Sequence, residues 1–232
     1  MEILDGLIRA LQLIFSGDPR LIEMTLRSLF VSGSAALVAC IWGIPIATLL
    51  GLKNFRGKFL IKTIFNSLIG IPTVALGFIL FLIFSRDGGP LGFLGLLYTP
   101  TAIIIGEAIL ITPIIVSLTT TAIEAVDPEI MNLAKTLGSS ESQARLAVLE
   151  EALGGVFLAG MTSFNRAIGE LGIAQLVGGF LTGFAGTELL TTGIWIELQN
   201  GNPETSIALT IILLTMVFTI NLALNIVQRR KK

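Results

Sequence analysis

Histidine is absent from this chain of 232 residues, and cysteine occurs once, at Cys40. No disulfide can close within the chain, and no Cys/His metal site can form from it. Charge is scarce as well: Asp, Glu, Lys and Arg make up 13% of residues, against about 25% in a soluble domain. No GxxxxGK[ST] loop is present, so ATP phosphates find no cradle of that type. With no Asp/Asp, Ser/Lys or histidine-based site at membrane depth, an intramembrane enzyme is a weaker reading. What the chain has instead is apolar length. Hydrophobic residues make up 53% of it, mean hydropathy is +0.87, and several runs exceed the ~20 residues that cross a bilayer core. The short polar/apolar alternation of a transmembrane barrel does not occur. The class expected is an all-α, polytopic membrane protein.

Residues 1–18 read as an N-terminal amphipathic interfacial helix. Ile3, Leu7, Ala10, Leu11 and Ile14 recur at helical spacing between Glu2, Asp5, Arg9 and Gln12. The stretch opens acidic and no small-residue cleavage site follows, so a cleavable leader is not expected. After the Gly17-Asp18-Pro19 break, five spans are expected at about 21–50, 64–84, 98–121, 153–177 and 206–227. Small residues recur every four positions in the first span, at Ser28, Ser32, Ala36 and Cys40 and again at Gly43, Ala47 and Gly51. That spacing lets transmembrane helices approach closely. Gly70-Ile71-Pro72 predicts a kink in the second span. Residues 181–203, too short to cross, read as an extracytoplasmic or re-entrant element.

Lysine and arginine cluster at 53–62 and in the basic tail 229–232. The positive-inside rule places both in the cytoplasm. Five spans then put the N-terminus outside and the polar segment 124–152 inside.

That polar segment carries the most information. Residues 124–160 hold six acids and two bases between long apolar runs. Asp127-Pro128-Glu129 is a helix start: a capping aspartate, proline in the first turn, then an acid. Ile130, Leu133, Ala134 and Leu137 fall on one face, and Gly138 suits a helix C-terminus. Ser140 with Gln143 fits a capping box for a second helix. A solvated interhelical loop and a docking element for a partner are both compatible with this pattern.

Asn132-Leu133-Ala134 followed by Lys135-Thr136-Leu137-Gly138 resembles the EAA loop of ABC importer permeases. Asn132 stands where that motif has its first glutamate, and Leu133 takes the second position. Glu150-Glu151 replace the usual Leu-Pro downstream. Leu149-Glu150-Glu151-Ala152, the Ser163-to-Gly172 run, Val177-Gly178-Gly179 and Leu190-Thr191-Thr192 are similar to tungstate-type permeases. Arg166-Ala167-Ile168-Gly169-Glu170 is shared with molybdate and sulfate permeases. The similarity covers residues 20–228, the expected transmembrane domain.

The resemblance implies a type I ABC importer permease of a prokaryotic inner or plasma membrane, carrying a tetrahedral oxyanion, tungstate or molybdate. It implies a second copy of the chain, two ATP-binding cassette subunits on the cytoplasmic side and an extracytoplasmic solute-binding protein. ATP and Mg would be bound by the partner ATPase, leaving this chain without a cofactor and without catalysis of its own. Membrane lipid is the remaining partner; nucleic acid is not one. Asn132, Leu133, Ala134, Leu137, Gly138, Ser139 and Glu141 are then the ATPase-coupling residues. Other oxyanions such as sulfate or phosphate, and a stand-alone secondary transporter or channel, are the rivals. The last of these predicts inverted repeats, and none is visible.

Charges within spans cost roughly 2.5–3.5 kcal/mol each on insertion scales. Arg166 and Glu170 stand one helical turn apart, with Glu107 at similar depth on the preceding span. An intramembrane ion pair joining Arg166, Glu170 and Glu107 is the structural reading; a pathway arginine for the anion is the functional one. An arginine always open to a divalent anion would hold it too tightly to conduct. Thr182, Thr187, Thr191 and Thr192 offer hydroxyls to an oxyanion at the outer mouth.

Overall fold

A computed structural model describes residues 3–179 and 186–229. Among the described residues ten α-helices follow one another: α1 (Ile3–Phe15), α2 (Pro19–Leu52), α3 (Lys58–Leu68), α4 (Thr73–Phe84), α5 (Pro100–Glu124), α6 (Pro128–Thr136), α7 (Glu141–Ile168), α8 (Gly172–Val177), α9 (Leu190–Gln199) and α10 (Pro203–Arg229). A 3-10 turn, Gly92–Leu94, lies between α4 and α5. No strand occurs among the described residues.

Among the described residues four helices are long and apolar enough to cross a membrane: α2, α5, α7 and α10. Helices α3 and α4 meet that standard only together, as a broken pair, which makes the number of crossings four or five. The expected kink at Gly70-Ile71-Pro72 is thus a full interruption over residues 69–72. Pro72 has no amide hydrogen to continue the ladder. The expected fourth span, 153–177, also differs. Helix α7 begins twelve residues earlier, at Glu141, and stops at Ile168, with α8 as a separate short helix.

The chain forms two compact units. Unit 1 comprises residues 1–35, 72–107 and 165–232. Its core gathers Ala10 from α1, Leu21 and Met24 from α2, Leu190 from α9, and Ala208 and Leu209 from α10, with Leu13 and Ile14 packed against them. Helix α1 therefore lays one face on this core while Leu7, Ile8, Leu11 and Phe15 stay exposed. Arg9 pairs with Glu204 at 3.1 Å.

Unit 2 comprises residues 36–71 and 108–164. The small-residue stripe of α2 lies on α5: a Cβ at Gly43 would stand 2.9 Å from Ile115 Cγ2, and one at Gly51 would stand 2.6 Å from Ile123 Cγ2. Ala47 between them is fully buried. Only glycine permits so close an approach at those two positions. Trp42 Nε1 donates to Thr112 Oγ1 at 2.7 Å, adding a polar tie across the same pair of helices. Glu124, at the end of α5, pairs with Lys58 at 2.9 Å and with Lys62 at 2.6 Å. Two of the four cations in the basic connector are thereby matched by an acid from another helix.

Candidate functional site

The polar segment folds as a capped helix, a corner and a second helix. Asp127 Oδ1 accepts from the Glu129 N–H at 2.9 Å, with Pro128 as the first helical residue. At the other end Gly138 takes φ +88°, a conformation a Cβ disfavours. The Gly138 N–H donates to Lys135 O at 3.0 Å and the Ser139 N–H to Ala134 O at 3.1 Å. This is the Schellman arrangement, which satisfies carbonyls that α6 leaves open. A reciprocal capping box starts α7: Ser140 N–H donates to Gln143 Oε1 at 2.8 Å, and Gln143 N–H to Ser140 Oγ at 3.4 Å. Glu141 pairs with Arg145 one turn on.

The apolar stripe of α6 splits into two. Ile130 and Met131 pack against Ile123 of α5 and Val148 and Ala152 of α7. Leu133 and Leu137 point away, 61% and 78% exposed. The expectation of a single stripe on one face is corrected on this point, because a nine-residue helix resting on α5 and α7 buries only the side it rests on. Asn132, Gly138 and Glu141 are also exposed, while Ala134 and Ser139 are half-buried. Water meets two leucines that nothing among the described residues covers.

The second group of predicted residues lies in unit 1. Arg166 Nη1 reaches Glu170 Oε2 at 2.7 Å; the arginine keeps 37% of its side chain exposed and the glutamate 2%. Glu170 does more than pair. Its Oε1 accepts the Gly172 N–H at 2.8 Å and the Ile173 N–H at 3.3 Å, so it caps α8. Its carbonyl accepts the Thr191 hydroxyl at 2.8 Å. This carboxylate is the reason the chain can leave α7 at Ile168 and restart as α8: two open N–H groups find an anion.

Glu107 does not join the pair, which corrects the three-member cluster expected from sequence. It is fully buried, and neither carboxyl oxygen has a hydrogen-bond partner among the described residues. Arg166 is taken by the acid one turn away on its own chain segment, leaving Glu107 without a cation.

The threonines are committed internally. Thr187 is buried and its hydroxyl donates to Gly178 O at 2.5 Å. Thr192, also buried, donates to Leu189 O at 3.0 Å and accepts the Leu189 N–H at 2.8 Å, capping α9. With Thr191 bonded to Glu170, these three hydroxyls serve backbone groups rather than an open mouth; Thr182 lies outside the described residues.

Two polar contacts escaped sequence reading. Asn165 and Asn221 exchange amide hydrogen bonds at 2.8 Å in both directions. Arg20 reaches buried Glu197 at 2.6 Å and Glu188 at 3.4 Å. An asparagine on each of two apolar helices was the available signal for the first. Distance in sequence hid both. Among the described residues no group of three or more acids, cysteines or histidines is placed to hold a metal ion.

Long apolar helices joined by one short, doubly capped helix with two exposed leucines are the pattern of a multi-pass membrane component. The chain belongs to the family of binding-protein-dependent transport system inner membrane components, whose profile matches residues 43–232. It is 36% identical over 219 residues to the tungstate uptake system permease protein TupB of Peptoclostridium acidaminophilum, covering 94% of this chain and 95% of that one. It is 36% identical over 204 residues to a probable anion ABC transporter permease protein of Haloferax volcanii, covering 87% and 88%. The TupB protein of Campylobacter jejuni is 32% identical over 94% of this chain and 90% of its own. In fold, a chain of the MetNI methionine ABC transporter in an inward-facing conformation superposes with a TM-score of 0.75 at 18% identity, covering 91% of this chain and 96% of that one. The architecture is that of a type I ABC importer permease.

Proposed function

We propose that this chain is the membrane-spanning subunit of an ATP-driven importer for a tetrahedral oxyanion, tungstate or its near isostere molybdate. The observation that carries the reading is α6: a helix capped at both ends, anchored by Ile130 and Met131, that presents Leu133 and Leu137 to water. Exposed leucines on so short and firmly held an element suit a groove on another protein. Nucleotide hydrolysis belongs to that partner, since this chain has no phosphate loop. Two copies of the chain would enclose the pathway. Closure of two ATPase subunits around ATP would draw the two α6 helices together and switch access from outside to inside.

The substrate class rests on the full-length similarity to two tungstate permeases and an anion permease. The Arg166 guanidinium, half-open yet held by Glu170, supplies positive potential without a free cation that would trap a dianion. Uptake into sealed vesicles carrying the permease, its ATPase and the solute-binding protein tests the proposal. ATP-dependent tungstate accumulation, competed by molybdate, is the expected result. Accumulation without ATP or without the ATPase would instead favour a secondary transporter.

A further inference from the structure

Within unit 2 an open groove of about 800 Å³ runs between the last turns of α2 and the first turns of α7. Its body is apolar: Ile44, Pro45, Leu49 and Leu52 from α2, Leu146 and Leu149 from α7. Its charged groups gather at one end, because α2 arrives there at Lys53 while α7 departs from Glu141, Ser142 and Arg145; Thr48 is the one polar residue further along α2. The apolar strip continues down α2 through Ile41 and Leu37, 73% and 70% exposed at helical spacing. From Leu37 to Leu52 this flank is about 22 Å long at 1.5 Å per residue, more than the ~15 Å depth of one leaflet.

Charge decides what fits the polar end. Lys58 and Lys62 of the same connector are matched by Glu124, and Arg145 is matched by Glu141. Lys53 takes part in no ion pair among the described residues, and it is exposed. One uncompensated cation therefore crowns an apolar channel. We propose that this groove holds an anionic phospholipid, its acyl chain along Ile41, Pro45, Leu49 and Leu149 and its phosphate on Lys53. The inference rests on the chain being membrane-embedded and not on which anion it carries.

The test is native mass spectrometry of the full chain, exchanged into equal parts phosphatidylglycerol and phosphatidylcholine and then stripped of bulk lipid. Wild type should retain phosphatidylglycerol in preference. Lys53→Gln should lower that preference about fivefold, the value of one surface cation near ~1 kcal/mol. Leu49→Trp, which fills the channel, should displace both lipids. Arg56→Gln, which removes an unpaired exposed cation of the same connector outside the groove, should change nothing. No preference in wild type, an unchanged preference in Lys53→Gln, or an equal loss in Arg56→Gln would each overturn the assignment. Because the readout is retained lipid, a failure here is distinct from a failure of ATP-driven transport.

Discussion

Glu107 and Glu170 show how differently two buried carboxylates are treated. Glu170 receives a guanidinium and two backbone N–H groups; among the described residues Glu107 receives none of these. An ionised carboxylate buried without a partner is costly, and Glu107 stands in that position among the described residues. Glu107→Gln keeps the shape and removes the liability, and its thermal unfolding should match or exceed that of wild type. A loss of more than a few degrees would show that Glu107 needs its charge. At Glu170 the order reverses. Arg166→Ala leaves the buried acid with its two N–H donors, whereas Glu170→Leu abandons both the guanidinium and the start of α8. Glu170→Leu leaves two backbone N–H groups unmet at the start of α8 and should lower the unfolding temperature more than Arg166→Ala does. Adding Arg166→Met to Glu170→Leu should recover little, because the N–H groups of Gly172 and Ile173 stay unmet. Recovery to wild-type stability would mean the ion pair alone matters.

Among the elements, α6 and its corner were the most legible from sequence. Caps are local chemistry: Asp127, Gly138 and the Ser140/Gln143 box each act within four residues, and each appears where the residues announce it. The close-packing stripe at Gly43, Ala47 and Gly51 was legible for the same reason, since its period lies within one helix. What the chain did not announce depends on tertiary partners. The end of α7 at Ile168 follows from a carboxylate that turns back onto the next helix, and hydropathy carries no trace of it. The Thr187 and Thr191 hydroxyls likewise looked free only because their backbone acceptors, nine and 21 residues away, lie out of local view. Leu137→Asp should leave insertion and folding intact while abolishing co-purification of the ATPase, because Leu137 is 78% exposed and supports no core. Gly138→Val should act through the backbone, at a cost of roughly 1–2 kcal/mol for a left-handed conformation. Normal assembly and transport in both variants would remove α6 from the coupling role.

For the whole molecule the number of crossings fixes whether the two termini share a side. Helices α2, α5, α7 and α10 give four crossings, and the broken α3/α4 pair adds a fifth only if it spans. Basic clusters at 53–62 and 229–232 both read as cytoplasmic, which agrees with five. In a Cys40→Ala background, an impermeant thiol reagent applied to intact cells should label Asp5→Cys, Asp87→Cys and Asn200→Cys. It should spare Arg56→Cys, Ser140→Cys and Lys231→Cys. Protection of Asp5→Cys together with Lys231→Cys would make the crossing number even and α3/α4 a re-entrant element. Labelling of Ser140→Cys from outside would place α6 on the wrong side for any ATPase.

The central claim is that oxyanion import through this chain is driven by ATP hydrolysed on a subunit docked at α6. The most direct measurement is the ATPase rate of the permease–ATPase complex reconstituted in lipid vesicles, with binding protein added either empty or loaded with tungstate, molybdate or sulfate. Tungstate-loaded binding protein should raise the rate several-fold in wild type, molybdate should do so comparably, and sulfate should do less; a complex carrying Leu137→Asp should show no stimulation. An ATPase rate indifferent to loaded binding protein, accompanied by tungstate entry that continues without ATP, would contradict the account.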